Sequence, residues 1–355
     1  RLLEIFSHHA RARRKRSLHR RAHSQSALNR FLREQAGGEH HAWVRRVRAT
    51  RDGGDEHRAR ADLGRCVRVN FAVGGHGADH RHCCDDGAHP RNSHHVKPRR
   101  FRCLMTTVGD ALHVIERLWP EAGAEAWDAP GLVTGSRDSD VARVLFVVDV
   151  TQATVDEAIA REVDLIVSHH PLLLRGVTTV AEDRFKGSLI AQLIRANCAV
   201  VAVHTNGDSV ASGTSAVMAR ALGITPDSVI TSNSVGGGIG IVGTCSEISL
   251  GDFARRIAEV LPATAGGVRV SGNFAQPISR VSLCAGAGDS LLAEPTVGAS
   301  DVYVTSDLRH HPASEFREQA QHGRDTALID VSHWAAEWLW LDTAAAEFGA
   351  ELPNI

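Results

Sequence analysis

The chain has 355 residues, 43% of them hydrophobic, with 40 Lys and Arg against 41 Asp and Glu, and 21 His. That length allows about two domains with sizeable cores, and the apolar share excludes wholesale disorder. No apolar run reaches the roughly 18 residues needed to cross a bilayer, no secretory signal follows the arginine-rich start, and the 7 Cys do not form a disulfide framework, so a reducing, cytoplasmic setting is expected.

The net charge of −1 conceals two opposed segments. Residues 1–104 hold 24 Lys and Arg against 10 Asp and Glu, a net +14, with 13 of the His and 4 of the Cys. Residues 105–355 hold 16 against 31, a net −15. Such a shift marks a boundary between segments with different physics. The front segment carries a basic block over 11–21 without an apolar stripe, and turn-rich stretches such as Gly74-Gly75-His76-Gly77. It reads either as a disordered basic extension or as translated sequence upstream of a start at Met105. Two sharper functions fit it less well. A basic arm would bind nucleic acid through phosphates. A zinc site from His80, His82, Cys83, Cys84, His94 and His95 would need an adjacent Cys pair to reach one tetrahedral ion, against the usual Cys-x-x-Cys spacing.

From Met105 onward, helices and strands alternate. Apolar residues at 108, 112, 114, 115 and 118 predict a helix that Pro120 stops. Short β-branched runs follow at 144–148, 165–167 and 199–203, with helical stretches at 153–161 and 186–196 between them. Near-continuous apolar strands joined by helices predict βαβ units and a sheet covered on both faces. After a glycine-rich turn at 236–240 come a strand to Val242, a helix over 250–261, strands at 268–270, 281–284, 302–304 and 327–329, and a final helix over about 333–348. The glycine cluster lacks the spacing of a phosphate-binding P-loop.

Three polar clusters follow apolar strands directly, where open α/β sheets build their sites. Ser168-His169-His170-Pro171 closes the 165–167 strand, and His204-Thr205-Asn206-Gly207-Asp208 closes 199–203. The third, with His333 and Glu337, spans the end of 327–329 and the start of the last helix. Imidazoles with carboxylates suit divalent zinc, iron, manganese or nickel. His333 and Glu337, four apart, share one helix face. Pro171 holds His170 extended, so both adjacent imidazoles can turn toward one site. Singly, each cluster has a plain alternative: a surface His pair, a solvated helix pair, an Asp208 that begins a helix. Their joint occurrence at strand ends favours a shared site, with one His on each of two ions bridged by a carboxylate.

Ser-His-His-Pro followed by Leu172-Leu173-Leu174, then His-Thr-Asn-x-Asp, then a late His-x-x-x-Glu, closely resembles the GTP cyclohydrolase 1 type 2 homologues, the NIF-three-like family. Trp127-Asp128 with Gly131-Leu132-Val133, Asp149-Val150-Thr151, Lys186-Gly187 and Asp307-Leu308-Arg309-His310-His311 extend the resemblance over essentially all of 105–355 and none of 1–104. It implies an α/β, two-lobed NIF-three-like fold with mixed and parallel sheets covered by helices, lobes at about 105–230 and 231–355, and no domain inserted between them. It also implies two divalent metal ions on His169, His170, Asp208, His333 and Glu337, the two acids bridging, with His204 supporting Asp208 from behind. The implied assembly is a ring-shaped homohexamer with its sites facing the cavity. One departure is Thr305-Ser306-Asp307, where the family more often has glycine in the middle, and the Ser306 side chain is expected to narrow the approach to the sheet end.

The function that follows is metal-dependent hydrolysis of a small-molecule substrate. By the family's name this is opening of the guanine imidazole ring of GTP with release of formate, and a phosphoester fits two metals equally well. A non-catalytic metal-binding regulatory or scaffold protein would use the same ligands. His310 and His311, ahead of Pro312, are candidates for lining the pocket and handling protons, or form a polar loop opening a helix. Arg175 and Arg309 are candidate contacts for a polyanion. Cys198, Cys245 and Cys284 read as buried thiols, and Trp334, Trp338 and Trp340 as packing or a subunit contact. No membrane partner is expected, and nucleic acid only if the 1–104 extension is real.

Overall fold

The computed structural model describes residues 105–323, 325–353 and 355, together with the backbone of Arg45–Val47. Expectations for the rest of residues 1–104, among them the basic arm and the His/Cys cluster, lie outside the described residues. Strand β1 is Arg45–Val47. Helix α1 (Val108–Leu118) starts at Thr107, whose hydroxyl accepts from the Asp110 amide at 3.2 Å while the Asp110 carboxylate accepts from the Thr107 N–H at 2.9 Å. This reciprocal cap satisfies two otherwise orphaned donors.

Next come β2 (Gly131–Thr134), β3 (Val144–Val147), α2 (Gln152–Ala160), β4 (Leu165–Ser168), α3 (Phe185–Arg195) and β5 (Ala199–Ala202). The strands form a four-stranded sheet in the order β2-β5-β4-β3, parallel through β3, β4 and β5 and antiparallel at β2. Phe146, Leu165, Val167 and Val201 pack on one face with α1, whereas Leu145, Ile166 and Val200 pack on the other with Val155 of α2 and Leu189 of α3. Coverage on both faces is why these strands read as continuous apolar runs rather than alternating ones.

The short helical turn α4 (Thr205–Asp208), helix α5 (Thr214–Ala221), strand β6 (Thr225–Ser228) and the hairpin β7 (Thr231–Ser232) with β8 (Gly238–Ile239) lead into the second sheet, with no inserted domain. It continues with β9 (Ile241–Ser249), α6 (Leu250–Val260), β10 (Val268–Ser271), β11 (Pro277–Ala287), α7 (Pro295–Gly298), β12 (Val302–Ser306), α8 (His310–Glu318) and β13 (Ala327–Val331). Seven strands lie in the order β1-β10-β13-β12-β11-β9-β6, parallel through β11, β12 and β13 and antiparallel elsewhere. The architecture is thus α/β with one mainly parallel and one mixed sheet. Strand β6, Thr-Pro-Asp-Ser, carries no apolar alternation because it is an exposed edge, where proline is tolerated in a sheet.

The final helical stretch runs as α9 (His333–Trp338) and α10 (Trp340–Glu351), joined through Leu339, whose dihedrals stay helical at φ −61° and ψ −27°. Ala335 and Ala336 of α9 belong to the core of the second sheet, whereas Trp340, Leu341, Ala344 and Phe348 of α10 pack on the first. The lobes therefore interleave in sequence, and α9 is carried to the strand ends of the first sheet. No described helix is long and apolar enough to cross a membrane.

Candidate metal centre

Strand β4 ends at Ser168 and delivers two imidazoles at once. His169 is fully buried, and its Nδ1–H donates to the Val203 carbonyl at 2.9 Å. His170 places Nδ1 2.8 Å from Oδ1 of Asp149, two residues past β3. Strand β5 runs into His204, whose Nδ1 lies 2.7 Å from Asp128 Oδ1. Asp208 ends α4 and accepts a hydrogen bond from the Thr214 hydroxyl. Helix α9 supplies His333 and Glu337 one turn apart, and His333 Nδ1 lies 2.6 Å from Asp307 Oδ2, just past β12. Every one of these rings is thus held at Nδ1 by an oxygen behind it, which leaves Nε2 as the ligand atom.

Glu337 sits at the middle of the set. Its Oε1 is 2.8 Å from His333 Nε2 and 3.4 Å from His169 Nε2, and its Oε2 is 3.0 Å from His170 Nε2. Asp208 Oδ1 is 3.8 Å from His169 Nε2. Two overlapping groups bring their ligand-capable atoms within 4.8 Å of one another: His169 with His170 and His204, and His170 with His333 and Glu337. The structure therefore brings all five expected ligands to one place. His204 brings a ring nitrogen into the first of these groups and is braced by Asp128.

The donors fit divalent cations. His169 Nε2 and Glu337 Oε2 are buried without a hydrogen-bond partner, close to their neighbours in distance but out of alignment with them. His170 Nε2 and His333 Nε2 face each other at 3.2 Å. With both Nδ1–H groups donated to Asp149 and Asp307, neutral rings would face each other through lone pairs, a repulsion that protons held toward Glu337 or a cation relieve. Burial alone would push the His170 pKa down, but the hydrogen bond to Asp149 and the Glu337 carboxylate beside it outweigh burial and raise it to about 10. His333 is likewise lowered by burial but lifted by Glu337 and Asp307 to about 9. For His169 burial is outweighed by Glu337 and Asp208, so its pKa is raised. Burial would raise Glu337, yet the three imidazoles hold it well below the usual carboxylate range. Asp208 is raised by burial. Without a cation, protons take its place among these groups.

Asp208, His333 and Glu337 open into a cavity of about 470 Å³, with Trp127 and Cys284 also in its wall. Gly286 of β11 lies against the central acid: at φ +90°, a Cβ there would meet Glu337 Oε1 at 2.5 Å. Trp340 packs beneath His169, with ring centroids 5.4 Å apart. Ser306 is buried with an unpartnered hydroxyl, and does not line the cavity. His310 and His311 are exposed at the start of α8 and also lie outside the cavity wall. Arg309 is occupied by Asp289, its Nε 2.7 Å from Oδ2, and Arg175 is exposed outside the cavity wall. Cys198 and Cys284 are buried, whereas Cys245 is only half-buried. The roles of Asp128, Asp149 and Asp307 are not marked in the sequence: Asp149 and Asp307 closely follow strands and Asp128 precedes β2, but nothing local pairs any of the three with an imidazole.

The DUF34/NIF3 (NGG1p interacting factor 3) family model matches residues 106–355. The chain belongs to this family. It is 40% identical over 248 residues to a Streptomyces coelicolor protein named GTP cyclohydrolase 1 type 2 homolog, covering 68% of this chain and 86% of that one. A Mycobacterium tuberculosis protein of the same name is 32% identical, with 70% and 94% covered. Among solved structures, a Staphylococcus aureus hypothetical protein is similar at a TM-score of 0.61 and 25% identity, covering 69% of this chain and 93% of that one. A Bacillus cereus protein related to NIF3 shares the fold at a TM-score of 0.65 and 19% identity, with 70% and 94% covered. The NIF3 match thus spans the first sheet, all of the second except β1, and every donor of the centre.

Proposed function

We propose that this NIF3-family chain is a metal-dependent hydrolase holding two divalent ions, one on His169, Asp208 and Glu337 and the other on His170, His333 and Glu337, with His204 as a further donor. The observation that carries this reading is the convergence of Nε2 atoms, each ring braced at Nδ1, on one buried carboxylate that opens into a cavity. When bound, such ions supply Lewis acidity, making water acidic enough to lose a proton near neutral pH and offsetting charge on a substrate oxygen. The chain's own residues set the stage for this. Asp149, Asp307 and the Val203 carbonyl fix the ring orientations, Thr214 orients Asp208, and Gly286 leaves the space beside Glu337 free of side-chain atoms.

The name shared by the relatives points to a purine nucleotide as substrate, opened hydrolytically with release of formate; a phosphoester uses the same centre equally well. The open cavity favours turnover over a scaffold role, for which a closed, ligand-saturated site would suffice. A cytoplasmic setting agrees with the free thiols of Cys198, Cys245 and Cys284. Self-association, up to the hexamer, is supported by exposed Val180, Phe185 and Ile194, the last two on α3, and light scattering reads the assembled mass. The decisive assay incubates metal-loaded protein with GTP and measures formate. Release that disappears in His169→Ala and Glu337→Ala supports the reading, and release no greater than in those variants rejects it.

A further inference from the structure

Of the tryptophans among the described residues, Trp119 and Trp340 are buried and Trp334 and Trp338 half-buried, whereas Trp127 is 61% exposed. Its turn is nevertheless firmly tied. The Asp128 N–H donates to the Glu125 carbonyl at 3.0 Å, closing the turn. The Glu125 N–H donates to the Thr205 hydroxyl at 2.9 Å, and Asp128 Oδ2 accepts from the Thr205 N–H at 3.0 Å and from that hydroxyl. The other oxygen of Asp128 holds His204. Trp127 stands on the wall of the metal cavity, its ring centroid 5.8 Å from that of His204 at an interplanar angle of 79°. Ile239 and Leu291 give that wall further apolar surface, and Glu125 and Ser232 give it polar groups. An indole held in water on a doubly pinned turn is preorganised contact area, costing little further entropy when a ligand covers it.

We propose that Trp127 is the stacking platform for a planar heteroaromatic ring, with Glu125 accepting from ring N–H groups and the rest of the ligand reaching toward His333 and Glu337. The proposal rests on the reading of this cavity as a substrate site. An aliphatic phosphoester offers no π face to the indole, so the arrangement selects for a base-bearing ligand.

The test uses the full chain loaded with zinc, with GMP and ribose 5-phosphate as probes, in wild type, Trp127→Ala and Trp127→Phe. Because the side chain is mainly exposed, neither variant removes core packing, and zinc content serves as the check on the centre. Stacking of about 1–3 kcal/mol per base predicts that Trp127→Ala weakens GMP binding about fivefold or more in calorimetry. Ribose 5-phosphate affinity and zinc content stay unchanged, and Trp127→Phe stays within about threefold of wild type for GMP. Equal GMP affinity in wild type and Trp127→Ala, or no GMP binding to wild type, overturns the proposal. Binding that depends on Trp127 without formate release from GTP keeps the stacking site and removes only the hydrolase reading.

Discussion

The two sheets contribute to the centre in different ways. The first presents donors at the ends of parallel strands: His169 sealed against Trp340 with no exposure, His170 beside it, and His204 and Asp208 after β5. The second presents one helix face, with His333 at 28% side-chain exposure on the cavity side and Glu337 at 3% between the imidazoles of His169, His170 and His333. The first sheet supplies most of the ring nitrogens, while the second supplies the acid that both proposed ions share. A cation bound here ties one sheet to the other, so metal binding is expected to stabilise the packing of the two lobes.

Removing the shared acid breaks this comparison most severely. Glu337→Ala is expected to abolish binding of both ions and, with it, the rise in Tm that added metal gives the wild type. His169→Ala and His333→Ala sharpen it, each expected to lower the stoichiometry from two ions to one while the donors of the other ion stay in place. Metal analysis with thermal melts reads all three. A Glu337→Ala protein that still carries two ions would show that the acid is not the link.

The next effect belongs to the groups behind the rings. Asp149→Asn, on the first sheet's side, and Asp307→Asn, on the second's, leave each histidine less well oriented and less basic, and each is expected to weaken metal affinity about 10–100-fold. Gly286→Ala probes the second sheet alone. Its Cβ would sit 2.5 Å from Glu337 Oε1 in a backbone with φ +90°. The carboxylate must then move, and metal affinity is expected to fall about tenfold, with strain of order 1–3 kcal/mol from the positive φ. Unchanged competition against a chelator in Gly286→Ala would mean that Glu337 has room to shift without losing its ligand position.

The same contrast explains what the sequence discloses. The parallel strands β3, β4 and β5 of the first sheet were legible because both their faces are covered, so apolar runs mark them one by one, whereas the antiparallel edge strand β2 was not. His169, His170 and Asp208 stand out because each directly follows such a run or the turn after it. Glu337 was legible from its spacing to His333, but not its central position, because that depends on α9 belonging to one sheet while α10 packs on the other. Edge strand β6 stayed hidden because an exposed Thr-Pro-Asp-Ser has no hydrophobic pattern to read. Asp128, Asp149 and Asp307 stayed without roles for a different reason. A carboxylate behind an imidazole is fixed by tertiary contacts across 76, 21 and 26 positions respectively, and local patterning carries no trace of those.

A further effect, on pH dependence, distinguishes protons from cations as the glue between the lobes. In the metal-free protein His170 and His333 are raised to about 10 and about 9, above an ordinary imidazole near 6.5. A group whose pKa is raised by folding stabilises the native state fully below its unfolded value and loses that contribution as pH climbs through the folded one. Metal-free protein is therefore expected to melt at progressively lower temperature from about pH 6.5 to about pH 10, a slope that His170→Asn flattens. Bound cations displace those protons, so metal-loaded protein is expected to lack this slope, and metal affinity to rise over the same window. Melting curves of metal-free wild type and His170→Asn that run parallel between these pH values would remove the protonated histidines from the lobe contact. The link between the sheets would then rest on apolar packing at α9 and α10 alone.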